Sequence, residues 1–167
     1  MVECMAAITI LVIATGAILT SLLSVTSLAQ TSKETRLAVD AARNTIEAIK
    51  GEDFRDVYAM FNANPDDDPD GAATAPGNVF VVVGLNVRED DADGFVGEII
   101  LPGDGKVLRE DLVDDVLGTP RDLNGDATLD AADHAGDYTI LPVRVRIEWT
   151  GKTGERSLEI VTVLTWV

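Results

Sequence analysis

Oxygen-bearing side chains alternate along one short acidic segment, residues 122–133. Numbered as a twelve-residue loop, the segment has Asp or Asn at positions 1, 3, 5, 9 and 12. Calcium binds about six to eight hard oxygen ligands, and such a loop supplies them from alternate side chains and the backbone carbonyl of position 7. The sequence therefore predicts a calcium site. Its expected ligands are Asp122, Asn124, Asp126, the Thr128 carbonyl, Asp130 (through water) and Asp133.

This loop resembles the calcium loop of dockerin modules, which also close with Asp. It differs from that pattern in two ways, because Ala127 replaces the Gly of position 6 and no clear helix precedes the loop. The alternative is a solvated turn, which is disfavoured because crowded carboxylates repel one another without a cation. Residues 66–71 and 89–94 match only the opening half of such a loop, so we interpret them as solvated turns, with an opportunistic ion site as the alternative.

The element that carries this head is predicted to be one long N-terminal helix. After Glu3, no charged residue occurs until Lys33, and this apolar run is long enough to cross a bilayer core of roughly 30 Å. From Leu28 to Lys50 the pattern becomes amphipathic, and Gly51 supplies a stop signal. The apolar-face positions are Leu28, Thr35, Val39, Ala42, Ile46 and Ile49. The expected helix has about 50 residues and a length of about 75 Å.

The acid followed by an uninterrupted apolar helix resembles the type IV pilin family, including the pseudopilins of type II secretion. Glu3 stands third, whereas the family's acid stands fifth, so we expect two further residues of the mature N-terminus before Met1. The resemblance implies that Glu3 meets the terminal amine of a neighbouring subunit and sets the axial register. The expected assembly residues are Met1, Val2, Glu3, Ile8, Leu11, Val12, Gly16, Leu19, Leu22 and Leu23. Local unwinding at Gly16 and a straight helix both stay open.

The apolar run has two other interpretations. A secretory signal peptide has a basic start and a shorter apolar core, whereas this segment has Glu3 and a longer run. A plain membrane anchor commonly passes into a flexible linker, whereas this run passes directly into an amphipathic helix. The pilin-like interpretation is therefore favoured.

Composition limits the classes of partner. The chain has 29 Asp and Glu against 13 Lys and Arg, for a formal net charge of −16. Nearly all of this charge follows residue 51, which argues against nucleic acid as a partner because phosphates attract basic side chains. The single cysteine, Cys4, cannot form an intrachain disulfide. Calcium bound only to the folded head would stabilise it instead.

The head, residues 52–167, is predicted to be an antiparallel sheet. The expected strands are 78–87, 95–101, 138–149 and 156–166, the last two forming a hairpin. Residues 52–61 are expected to form a helical turn or an extension, and 108–117 a short helix or an irregular segment. The amphipathic half-helix, residues 28–51, is the natural cover for the apolar face of the sheet, while residues 1–27 form the membrane segment or filament core. The predicted fold is therefore α+β, with the ladle shape of a pilin.

Catalytic motifs are scarce in this sequence. It lacks a glycine-rich phosphate loop and a nucleophile elbow, and its one histidine, His134, is expected at the surface. The sequence therefore predicts a non-enzymatic subunit of an extracellular type IV pilus-like filament with a calcium-stabilised head. The alternatives are a minor pseudopilin of a type II secretion system and a membrane-anchored calcium-dependent binding module. The resemblance also implies prepilin peptidase, the assembly machinery and copies of the chain as partners, and residence in the bacterial inner membrane before assembly.

Overall fold

A computed structural model describes residues 2–166 as a long helix followed by a small antiparallel sheet with long loops. The elements are α1 (Val2–Gly51), α2 (Val57–Phe61), β1 (Val79–Phe80), β2 (Gly97–Ile100), β3 (Ile140–Gly151) and β4 (Gly154–Thr165). The predicted α+β architecture is confirmed.

The helix α1 runs for 50 residues without a break, including at Gly16. Its apolar half contains hydroxyl side chains, and five of them donate to backbone carbonyls of the same helix. Thr9 and Thr20 each donate to the carbonyl four residues earlier at 2.8 Å. This half therefore presents few unsatisfied polar groups to an apolar environment.

The other half of α1 packs on the sheet through residues spaced three or four apart. The buried positions are Glu34, Ala38, Ala42, Ile46 and Ile49. Leu28 and Thr35, which were expected on this face, are exposed: Leu28 precedes the stretch that the sheet covers, and Thr35 lies to one side of the row that starts at Glu34. A Cβ on Gly151, at the end of the β3–β4 hairpin, would stand 2.7 Å from Glu34 Oε2.

The sheet has strand order β1-β2-β3-β4, and every neighbouring pair is antiparallel. The predicted hairpin is confirmed: β3 and β4 pair along their full lengths, from Ile140 opposite Thr165 to Gly151 opposite Gly154. Alternation along β3 places Val143, Val145 and Ile147 in the core at 0% exposure. Arg144, Arg146 and Glu148 lie on the opposite face, as the period of two predicts.

The predicted strand 78–87 is wrong for most of its length. Only Val79 and Phe80 pair with β2, and Val81 and Val83 are 69% and 90% exposed. The chain leaves the sheet in a turn in which the Leu85 N–H donates to the Val82 carbonyl at 3.2 Å. Gly84, at φ +93°, supplies the left-handed conformation of that turn. A run of valines has strong strand propensity, but this turn overrides it.

Between β2 and β3 the chain forms a long irregular excursion, and residues 108–117 are irregular rather than helical. Leu108 and Leu123 join the core cluster and hold this excursion against the rest of the head, and Leu117 is also buried. The predicted calcium loop lies within it.

Candidate functional site

Large apolar side chains cover the membrane-length half of α1, and all of them are exposed. Those from Val2 to Leu28 expose between 58% and 81% of their surface. They surround the helix rather than forming one stripe, so a single flat contact cannot cover them. By length and composition this helix can cross a membrane. An exposed apolar surface of this extent is typical of membrane or protein contact.

The predicted assembly residues all belong to this surface, except Met1, which lies outside the described residues. Those described are Val2, Glu3, Ile8, Leu11, Val12, Gly16, Leu19, Leu22 and Leu23, and every one is exposed. Because the helix is continuous, this surface passes directly into the half of α1 that packs on the head, with no linker between them.

The second candidate site is the loop 122–133, whose acidic side chains order its backbone. Asp122 accepts hydrogen bonds from the N–H groups of Gly125 at 2.6 Å and Ala127 at 2.8 Å. These backbone bonds hold the pKa of Asp122 below its ordinary value. Asn124 and Asp126 each accept from the N–H two residues later, at 3.0 and 2.7 Å.

Ala127 adopts φ +65°, the left-handed conformation that non-glycine residues rarely take. It stands at position 6 of the loop, where calcium loops of this type place glycine for a sharp turn. The backbone therefore makes the turn that the calcium loop requires, although the residue is alanine.

The closing residues of the loop point elsewhere. Asp130 Oδ1 accepts from Ala132 N–H at 2.7 Å and lies 3.2 Å from His134 Nε2. Asp133 accepts from Leu108 N–H at 3.2 Å, and Thr128 is exposed. Hydrogen bonds from Ala132 N–H and His134 lower the pKa of Asp130. Among residues 2–166, no three His, Cys, Asp or Glu side chains converge in a group that would hold a metal ion.

His134, expected at the surface, is instead buried at 5% exposure and surrounded by carboxylates. Its Nδ1 lies 3.1 Å from Asp137 Oδ1, and its Nε2 lies 3.7 Å from Glu110 Oε2. Burial of the ring lowers its pKa, but the hydrogen bonds to Asp130 and Asp137 and the charge of Glu110 outweigh that effect. The pKa of His134 is therefore raised.

Glu110 is the residue that sequence reasoning missed. It is fully buried, and its Oε1 accepts from Leu123 N–H at 2.6 Å and Asn124 N–H at 3.2 Å. It thereby fixes the start of the loop to the head. No local pattern could reveal this role, because its partners are distant in sequence and come together only through the irregular excursion.

No protein-family model, curated protein or solved structure matches this chain. The function of this chain must therefore be inferred from its two candidate sites. One is the apolar half of α1, whose exposed side chains need lipid or other protein around them. The other is an ordered loop rich in hard oxygen atoms. The first can associate with lipid or with like helices, and the second has the donor set that calcium prefers.

Proposed function

We propose that this protein is the structural subunit of an extracellular filament of the type IV pilin kind. The observation that carries the proposal is the exposed apolar half of α1, joined without a break to a half that packs on the head. Burying each large apolar side chain contributes about 1.5–3 kcal/mol, so a lipid core or a bundle of copies strongly stabilises this rod. A helix that served only as a membrane anchor would not need to continue unbroken into the head.

Glu3 is the assembly residue in this proposal. An acid among apolar side chains is costly unless it is paired, and its best attested use is to fix register. By the family resemblance, its partner is the terminal amine of a neighbouring copy. The subunit would wait in the bacterial inner membrane and then pass into a filament at the cell surface.

Electron microscopy of the purified full-length chain after detergent removal tests this function. We expect uniform filaments, and we expect Glu3→Ala to reduce their yield or change their spacing. Glu52→Ala is the matched control, since Glu52 is an exposed acid directly after the same helix and its loss should leave assembly intact. If the chain stays monomeric and only inserts into vesicles, the filament proposal is wrong and the helix is a plain membrane anchor. Unchanged filaments from Glu3→Ala would remove the role of the acid.

We further propose that the loop 122–133 binds calcium through Asp122, Asn124, Asp126, the Thr128 carbonyl, Asp130 and Asp133. The hard oxygen donors and the left-handed turn at Ala127 support this assignment. Calcium bound only by the folded head stabilises it by mass action, with about 2.7 kcal/mol at a hundredfold excess over Kd. Because the chain has one cysteine and cannot form an intrachain disulfide, bound calcium would stabilise the head instead.

Thermal unfolding with calcium and with a chelator tests the loop. We expect calcium to raise Tm and Asp126→Asn to weaken that shift, because the amide can still accept the hydrogen bond from Thr128 N–H but lacks the charge. Asp115→Asn is the control, since Asp115 is an exposed acid outside the loop. A Tm that does not respond to calcium would exclude the site.

A further inference from the structure

A row of charged residues runs along the exposed side of the half of α1 that packs on the head. We call it the basic stripe, and its members are Lys33, Arg36, Asp40, Arg43, Glu47 and Lys50. Successive members are three or four residues apart, so they share one face of the helix. All six are exposed. The stripe holds four cations and two acids, in a chain whose net charge is −16.

The cations of the stripe are largely without partners inside the chain. Among residues 2–166, Lys33, Arg36 and Arg43 form no ion pair, and Lys50 lies 3.8 Å from Glu47. Several arginines of the sheet and its loops differ in this respect. Arg88, Arg109 and Arg144 pair with nearby acids at distances of 2.7 to 3.2 Å, and Arg146 pairs with Glu98. The stripe is therefore a positive surface available to a partner.

The rest of the chain offers the opposite charge. Residues 52–167 contain 25 Asp and Glu against nine Lys and Arg. The densest group is the acidic loop, which we define as Asp66, Asp67, Asp68 and Asp70. Within the described chain, none of these four carboxylates forms an ion pair with Lys, Arg or His. Two of them accept hydrogen bonds only from Asn62 and from Ala75 N–H.

We propose that the basic stripe of one copy docks the acidic loop of a second copy. This inference rests on the proposed filament function and names the contact between heads within it. Stripe and loop are different surfaces, so the contact is heterologous. A heterologous contact that does not close into a ring repeats as an open helical polymer. Opposite charges at such a contact also steer encounter and fix register.

The length of the stripe favours a protein partner over lipid headgroups. Lys33 and Lys50 lie about 25 Å apart along the helix axis at 1.5 Å per residue. When the apolar half of α1 crosses a membrane, only the Lys33 end of the stripe lies near the phosphates. A neighbouring head extends along the same axis, so it can meet the whole stripe.

Charge reversal in the full-length chain tests the contact. We expect Arg36→Glu with Arg43→Glu to lower filament yield on the order of tenfold, which corresponds to about 1.4 kcal/mol. The matched control is Lys106→Glu with Lys152→Glu, which makes the same charge change at exposed positions outside the stripe and should leave the yield unchanged. Circular dichroism of each variant verifies that the head is folded.

Charge reversal of the acidic loop, followed by mixing of the two variants, provides the decisive test. Asp66→Lys with Asp70→Lys should also block assembly alone, and mixing this chain with the stripe-reversed chain should restore filaments containing both. Wild-type yield from the stripe-reversed chain, or mixing without rescue, would overturn the docking while leaving the filament proposal intact. A wild-type chain that never forms filaments would overturn both.

Discussion

Gly97 lies in β2 against the ring of Phe80, and a Cβ there would stand 2.3 Å from two ring atoms. The close approach of β1 to β2 therefore depends on the lack of a side chain at this position. β1 contributes only two residues to the sheet, so few other contacts hold it. At Ala127 the constraint is different, because space is available but the backbone angle is unfavourable.

Gly97→Ala should lower the free energy of unfolding by about 1–3 kcal/mol, because the added methyl group forces Phe80 or the strand to move. Denaturant unfolding of the full-length chain in detergent measures this change. Gly136→Ala is the control, since no atom of the described residues other than its chain neighbours lies within 4 Å of its added Cβ. In a Phe80→Ala background the cost of Gly97→Ala should fall. An equal cost in both backgrounds would contradict the predicted clash.

Ala127→Gly should stabilise the loop by up to about 1 kcal/mol, because glycine adopts positive φ without steric cost. Under the calcium proposal it should also raise calcium affinity, which isothermal titration calorimetry measures. Ala131→Gly provides the comparison, because Ala131 has no positive φ. There the substitution only raises the entropy of the unfolded chain and should lower stability. Loss of stability in Ala127→Gly would show that the left-handed conformation is not a cost.

Among the elements, the junction between α1 and α2 is held to the start of β3 by an aromatic cluster. The Tyr138 hydroxyl donates to the Phe54 carbonyl and accepts from Tyr58 N–H at 3.3 Å. Phe54 packs on Tyr138 with ring centroids 4.8 Å apart, and Arg55 lies over the ring of Trp166. Burial raises the pKa of Tyr138 to about 12, so the hydroxyl stays protonated and remains a donor.

Tyr138→Phe should therefore destabilise the head by about 1–2 kcal/mol, because the Phe54 carbonyl and the Tyr58 N–H lose a partner. Thermal unfolding followed by circular dichroism measures the loss. Tyr58→Phe is a close control: within residues 2–166 the buried Tyr58 hydroxyl has no hydrogen-bond partner, so its removal should be neutral or stabilising. Equal losses in the two variants would contradict this account of the junction.

In the molecule as a whole, only one half of α1 contributes to the core of the head. Residues 2–26 are all exposed, whereas the residues that α1 buries against the sheet begin at Glu34. The apolar half therefore lies outside the core of the head, and under the filament proposal it is the part of the chain that associates. The strongly acidic head, by contrast, favours solubility in water.

A chain lacking residues 2–26 should fold without detergent and sediment as a monomer. Its sheet should melt with an unfolding free energy within about 0.5 kcal/mol of that of the full-length chain, since no core contact is removed. Analytical ultracentrifugation and circular dichroism measure both properties. Self-association of the truncated head at low concentration would contradict the assignment of association to the apolar half of α1.

The elements that could be predicted are those with a regular local period. The long helix follows from an apolar run that passes into an amphipathic pattern ending at Gly51, and the β3–β4 hairpin follows from alternation on either side of a glycine turn. In each case the period repeats over many residues, so a local pattern is sufficient. The bounds of the loop 122–133 likewise follow from a local pattern, the alternation of its oxygen-bearing side chains.

Features formed by residues far apart in the chain could not be predicted. The valines after Phe80 leave the sheet because a turn at Gly84 overrides their strand propensity. Likewise, His134 is buried because Glu110 and the irregular excursion enclose it. Local periodicity gives which face of an element is apolar, since neighbours along the chain share one backbone geometry. Burial of a lone polar residue depends instead on which distant segments pack around it, and that is settled only when the whole head has folded.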